Sequence, residues 1–334
     1  MRFHLRSAVV CVLLLAGTVV TGVVSIRFGD PPVAVGTTID VFLGRADFAD
    51  AFIVVQLGLP RIATAILVGA ALGTSGAIFQ SLARNPLGSP DIIGFNTGAA
   101  TGAIAAILYL PDVAFGAGAF AVAAGITTAL AVYLLAWNRG MRGYRLILVG
   151  IGVTALLGSV NAYMLAKANL LNAQAAHLWL YGSLNAKTWE NAGLIAVAMV
   201  VLLPVILVLG NRLSLVEMGD ETASALGVPV ERTRVAFIVL GTALPAVAIA
   251  VAGPIVFVAL AAPQLVRRLT RAHGPHLGPS ACMGALLLVA ADFVAQHVIP
   301  GASLPVGLAT GALGGVYLAW LLASEWRSGR MRAR

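Results

Sequence analysis

Ten stretches of the 334-residue chain are apolar for about the length of a membrane-crossing helix, and this repetition limits the fold more than any motif does. A helix needs roughly 20 apolar residues to cross the ~30 Å hydrocarbon layer. The runs fall at about residues 7–26, 61–82, 92–110, 113–137, 145–166, 190–210, 233–252, 255–270, 279–299 and 304–323, the eighth being short. They are continuously apolar and rich in Gly, Ala, Leu and Val, whereas a membrane β-barrel shows segments of about 10 residues that alternate apolar and polar. The chain is 60% hydrophobic and 10% charged, with a mean hydropathy of +0.95, far beyond what a soluble core of this length needs. The expected fold class is therefore all-α and polytopic, a single transmembrane domain over residues 1–334.

The charges sort by membrane side. With the N-terminus in the cytoplasm, the inside segments hold Arg2, Arg6, Arg84, Arg139, Arg142, Arg145, Arg212, Arg232, Arg234, Arg267, Arg268, Arg271, Arg327, Arg330, Arg332 and Arg334, which is 16 of the 21 Lys and Arg. The outside keeps Arg27, Arg45, Arg61, Lys167 and Lys187. This is the positive-inside bias of an even number of helices, so both termini are expected in the cytoplasm of a multi-pass plasma (inner) membrane protein. Anionic membrane lipid accounts for the net charge of +8, and no nucleic-acid partner is called for. Arg2 and Arg6 before "SAVVCVLLLAGTVVTGVV" imitate a secretory signal, but no small-residue cleavage site closes it, so an uncleaved first span is expected. Residues 27–58, with Asp30, Asp40, Asp47 and Asp50, suit a short amphipathic element lying on the outer membrane surface. Cys11 and Cys282 sit inside apolar runs and form no Cys-x-x-Cys or Cys/His cluster, which leaves no disulfide or metal reading.

Few residues could power transport. Ion-coupled carriers place ionisable groups at mid-depth; here Asp292, in "LLLVAADFVAQHV", is the clear case, and it reads as an anchor between helices, with His297 too far round the helix to pair with it. No filter signature of a channel is present. A phosphate-binding loop needs Gly-Lys-Ser/Thr, yet Lys167 and Lys187 both follow alanine, so the chain is not expected to be an enzyme and any energy must come from a partner. Small residues four apart, Gly69 and Gly73, then Gly307, Gly311 and Gly315, are expected to let helix backbones approach closely.

The acids concentrate elsewhere. "EMGDETASALGVP", residues 217–229, holds three of the 13 carboxylates. Asp220 is expected to cap a helix with Glu221 in its first turn, and Gly227 with Pro229 to end it. Two turns are too short to be stable alone, so the piece needs a surface. It either covers its own bundle or docks on an external ATPase. Arg232 and Arg234 are expected to anchor it at the membrane, within a cytoplasmic segment at 211–232.

"GLPRIATAILVGAALGTSGAIFQSLARNPLGSPDIIGFNTGA" (58–99), "EMGDETASALGVPVERTR" (217–234), "VAGPIVFVALAAPQLVRRL" (251–269) and "AADFVAQHVIPGASLPVGLATGALGGVYL" (290–318) together resemble the permease subunits of ATP-binding-cassette importers for ferric siderophores, haem and vitamin B12, the FecCD/BtuC type. Within that family the first motif is most similar to permeases for ferric catecholates of the enterobactin kind. The resemblance implies a ten-helix importer permease that pairs with a second permease, a paralogue or its own copy. It also implies a cytoplasmic ATPase dimer that receives the helix at 220–227 and alone uses ATP and Mg, and an extracytoplasmic siderophore-binding protein. Haem and vitamin B12 remain alternatives, as does, from another class, a secondary transporter working alone.

Carried over residue by residue, the coupling set is Glu217, Gly219, Asp220, Glu221, Ala225, Leu226 and Gly227, and the cytoplasmic link is Arg84, Asn85 and Pro86. Asn96, Thr154, Ser159, Asn161, Tyr163 and Thr310 are candidates for the pathway, and Asp292, Gly69, Gly73 and Gly311 for structure. The family's Arg-Leu-Pro-Arg begins here with Gly58, leaving Arg61 as the residue implied in binding-protein docking. Its Pro-His-x-x-Arg is Pro263, Gln264, Leu265, Val266, Arg267, so an imidazole is replaced by an amide still able to hydrogen-bond.

Overall fold

A computed structural model describes residues 5–29, 31–90, 94–110, 116–136, 143–272, 274–299 and 303–327, and over these the chain is all-helical with short connections. Asp30 and, of the basic residues, Arg2, Arg139, Arg142, Arg330, Arg332 and Arg334 lie outside them. Helix α1 spans Leu5–Arg27 and α2 Val35–Phe42, while α3 (Phe48–Phe52) continues through a π-helical turn, Ile53–Gly58, into α4 (Leu59–Ala83). There follow α5 (Phe95–Tyr109), α6 (Gly116–Ala136), α7 (Gly143–Lys167), α8 (Leu170–Leu180), α9 (Trp189–Glu217), α10 (Asp220–Ala225), α11 (Val230–Ala252), α12 (Val258–Thr270), α13 (Leu277–His297) and α14 (Val306–Arg327).

Seven described helical stretches are long and apolar enough to cross a membrane: α1, the continuous Phe48–Ala83 stretch, α6, α7 from Leu148, α9, α11 and α13. The apolar runs expected at 92–110, 255–270 and 304–323 correspond to α5, α12 and α14, of 15, 13 and 22 residues. Helix α8 lies outside every expected run.

Helix α4 is the post on which α9, α11, α12 and α13 pack, and α1 packs in turn on α13. Its small residues make this possible, since without them no backbone could come close enough for dispersion to hold helices together in lipid. A Cβ on Gly69 or Gly73 would collide with the α13 backbone at Gly284 and Ser280, and one on Gly76 with the Ala259 carbonyl of α12. Proline decides two of these contacts. Pro263 has no N–H for the carbonyl of Ala259, and Pro245 none for that of Gly241. The first faces Gly76, and the second accepts a bond from buried Ser75 Oγ at 2.6 Å. Both freed carbonyls thus face α4.

Helix α14 corrects the expected glycine stripe. Gly307 closes on the Tyr181 carbonyl and Gly314 on the Phe257 ring, whereas Gly311 meets only Val256 Cγ2 at 3.9 Å and Gly315 nothing. The two close approaches are seven residues apart, two turns along one face of α14.

Candidate functional site

The residues expected to carry force gather at one end of the bundle. Helix α10 is one and a half turns long, and Gly219, not Asp220, is its N-cap. Gly219 has φ 129° and ψ 146°, a conformation a side chain would strain, so the chain turns into α10 there and frees the Asp220 carboxylate for another task. That carboxylate accepts from Arg234 Nη2 at 3.0 and 2.9 Å and from Arg84 Nη2. Arg84 also donates to the Val216 carbonyl, at 3.2 and 2.8 Å, and so joins the end of α4 to the end of α9. Partial burial opposes ionisation of Asp220, but the hydrogen bonds and charges of Arg234 and then Arg84 outweigh it and hold the carboxyl below its usual range. Arg234, expected at the membrane surface, is buried and also bonds Glu231 at 3.1 Å. Its guanidinium serves as a clamp because it bonds two acids, Asp220 and Glu231, at once.

The clamp fixes one face of α10 and leaves the other bare. Ala223 is fully buried against Val216 and Val228. Glu221, Ser224, Ala225 and Gly227 are exposed, with Leu226 at 61% and Met218 at 68% exposure. Next to them Asp220, Glu221, Ser224, Val228, Pro229 and Arg232 line an open hollow of about 850 Å³. Glu217, at the end of α9, stands 3.6 Å from Arg267 of α12.

Residues 84–90 run beside this clamp. Arg84 ends α4 in the left-handed conformation, φ 48°, and the Asn85 N–H reaches back to the Gln80 carbonyl at 3.1 Å. Asn85 Oδ1 accepts from Leu87 N at 2.9 Å, and Pro86 stiffens the turn between them.

At the opposite end, Arg61 and Asp292 find each other. Nε and Nη2 of Arg61 each donate to the Asp292 carboxylate at 2.8 Å, and Gln296 Nε2 adds a bond at 2.9 Å. Asp292 is 3% exposed. The cation implied in docking a binding protein is thus held by the bundle's own acid, and together they clip α4 to α13. A buried carboxylate inside an apolar helix requires a nearby cation, which is the signal the sequence offered and the spacing of 231 residues hid.

The expected pathway residues do not form one set. Thr154 of α7 is half-buried with its Oγ1 beside Gly94, and Asn96 is half-buried on α5. Ser159 is exposed and bonds its own helix at Ala155 O, Tyr163 is exposed, and Asn161 Oδ1 is buried without a partner among the described residues. Thr310 is 4% exposed and bonded to the Gly307 carbonyl, on the face of α14 that closes on Tyr181.

Residues 17–324 match the FecCD transport family, which is nearly the whole described chain. The chain belongs to that family. Among its relatives, the ferric enterobactin transport system permease protein FepG of Escherichia coli (strain K12) is 44% identical over 96% of this chain and 98% of its own. The Fe(3+)-citrate import system permease protein YfmE of Bacillus subtilis (strain 168) is 35% identical over 98% of each. A solved inward-facing structure of a transporter classed as metal-chelate type ABC superposes with a TM-score of 0.82 at 28% identity, covering 95% of this chain and 99% of its own. The family supports a multi-pass membrane protein, in keeping with the seven long apolar helices.

Proposed function

We propose that this chain is the membrane-spanning permease subunit of an ATP-binding-cassette importer that carries a ferric siderophore, of the catecholate kind, into the bacterial cytoplasm. Helix α10 carries the reading: clamped on one face by Arg84 and Arg234, it presents Glu221, Ala225 and Leu226 to a partner outside the membrane. Likeness to the enterobactin permease over its full length supports the substrate class. In this reading α5, α12 and α14 join the seven longer helices to make ten spans of the inner membrane, with both termini and the 211–232 segment in the cytoplasm. The partner ATPase dimer alone binds ATP and Mg. A second permease, paralogue or copy, covers α7, which buries almost nothing within its own chain, and an extracytoplasmic binding protein delivers the siderophore. ATP-driven closure of the ATPase dimer moves α10 with it, and the clamp passes the motion to α4, α9 and α11 as rigid bodies.

Replacing Glu221 and Leu226 together with alanine tests this. The variant is expected to stay in the membrane, lose the ATPase subunits from the purified complex, and take up no labelled ferric siderophore. Normal uptake would remove α10 from the coupling role.

A further inference from the structure

A chain of polar contacts leaves the clamp and ends on α14. The turn at Asn85–Gly88, fixed by the Gly88 N–H bond to Asn85 O at 2.9 Å, begins one residue after Arg84 and so moves with Asp220 and α10. Its Pro86 carbonyl, which can only accept, takes a bond from Gln264 Nε2 at 2.8 Å. That contact sets the orientation of the amide, and the Gln264 Oε1 then accepts from Tyr317 Oη of α14 at 3.3 Å. Gln264 is 7% exposed, with both ends of its amide engaged. One turn further along, the Arg268 guanidinium of α12 lies 4.8 Å from the Trp320 ring centroid of α14. Gly307 and Gly314 share one face of α14 with half-buried Tyr317 beside it, whereas Leu313, Val316 and Trp320 are exposed.

We propose that Gln264 is a positioning residue that makes α14 follow α10, joining the turn clamped to α10 on one side to the phenol of Tyr317 on the other. It rests on α10 being the ATPase-docking piece. A buried amide bonded at both ends cannot let one partner shift without dragging or abandoning the other, since an unpaired amide in an apolar bundle is costly. Movement of the turn therefore displaces α14 directly as well as through α12 and α13, on which it packs.

The test uses the complete importer in liposomes, with its binding protein inside or outside as orientation requires, and reads siderophore delivered per ATP hydrolysed. Gln264→Leu is expected to lower that ratio by roughly 2- to 30-fold, the range found for residues that link coupled sites, while the ATPase subunits stay bound and hydrolysis continues. Tyr317→Phe, which removes one bond and little volume, should give a smaller loss of the same kind. The double variant should match Gln264→Leu alone, because both substitutions break a single chain. Gln264→His, with one ring N–H and one ring acceptor, should recover most of the ratio. An unchanged ratio in Gln264→Leu, or losses that multiply in the double variant, would overturn the proposal. Should Gln264→Leu fail to assemble, Tyr317→Phe and Gln264→His decide the matter. Dissociation of the ATPase from the Glu221 and Leu226 variant tests the reading of α10 separately.

Discussion

At the residue scale, one glycine and one carboxylate set the geometry of the candidate coupling piece. Gly219 occupies a backbone region open almost only to glycine, and Gly219→Ala should cost on the order of 1–3 kcal/mol, read as a lowered unfolding temperature of the detergent-solubilised protein. Asp220 is about half exposed, so its pairs with Arg84 and Arg234 are screened, and Asp220→Asn should cost no more than about 1 kcal/mol. The sign with pH follows from its lowered value in the folded chain. Its contribution is complete above the unfolded carboxylate range, near pH ~4, and disappears as pH falls through the folded value below that. The stability gap between wild type and Asp220→Asn should thus be constant from neutral pH to about 5 and close below about 4. A gap that closes between pH 6 and 7 would point to another group.

At the scale of elements, α4 is held by absence of side chains and by one buried ion pair. Gly76→Leu should prevent α4 and α12 from meeting and yield little monodisperse protein, whereas Gly315→Ala, with nothing within 4 Å, should change stability by less than about 0.5 kcal/mol. The Arg61–Asp292 clip makes a sharper case. Arg61→Ala strands a buried carboxylate and should cost roughly 3–5 kcal/mol. The exchange of both residues, Arg61→Asp with Asp292→Arg, should recover part of that loss in thermal unfolding. No recovery would mean that the pair is a consequence of the α4–α13 crossing and not one of its supports.

At the scale of the molecule, the helices divide into a packed half around α4 and a loosely covered margin. The faces of α9 with Val197, Val200, Val201 and Val208 are exposed and suit lipid, while α7 combines exposure with Ser159 and Asn161. A protein whose α7 faces a second permease should be extracted as a complex of two permeases. Uptake of labelled ferric catecholate should be competed by other ferric catecholates and not by haem or cobalamin, and should stop on loss of the ATPase while surviving collapse of the ion gradient. Competition by cobalamin would reassign the substrate within the family.

What the sequence determined by itself is the helical class, the positions of the long spans and the short acidic piece at 217–229, because each depends on residues near one another in the chain: apolar length, a glycine, a proline. Gly69 and Gly73 were legible for the same reason, as a local small-residue period. Tertiary structure alone decided who answers whom. Arg61 meets Asp292, Asp220 meets Arg84 and Arg234, and Gln264 meets Pro86 and Tyr317 across 14 to 231 residues of chain. It also decided that α14 closes through Gly307 and Gly314 and turns Thr310 inward, since which face of an apolar helix is covered depends on neighbours its own sequence does not name. In lipid, hydrophobic pattern distinguishes the inside of a bundle from its outside only weakly, so partners and facing follow from packing and polar pairing.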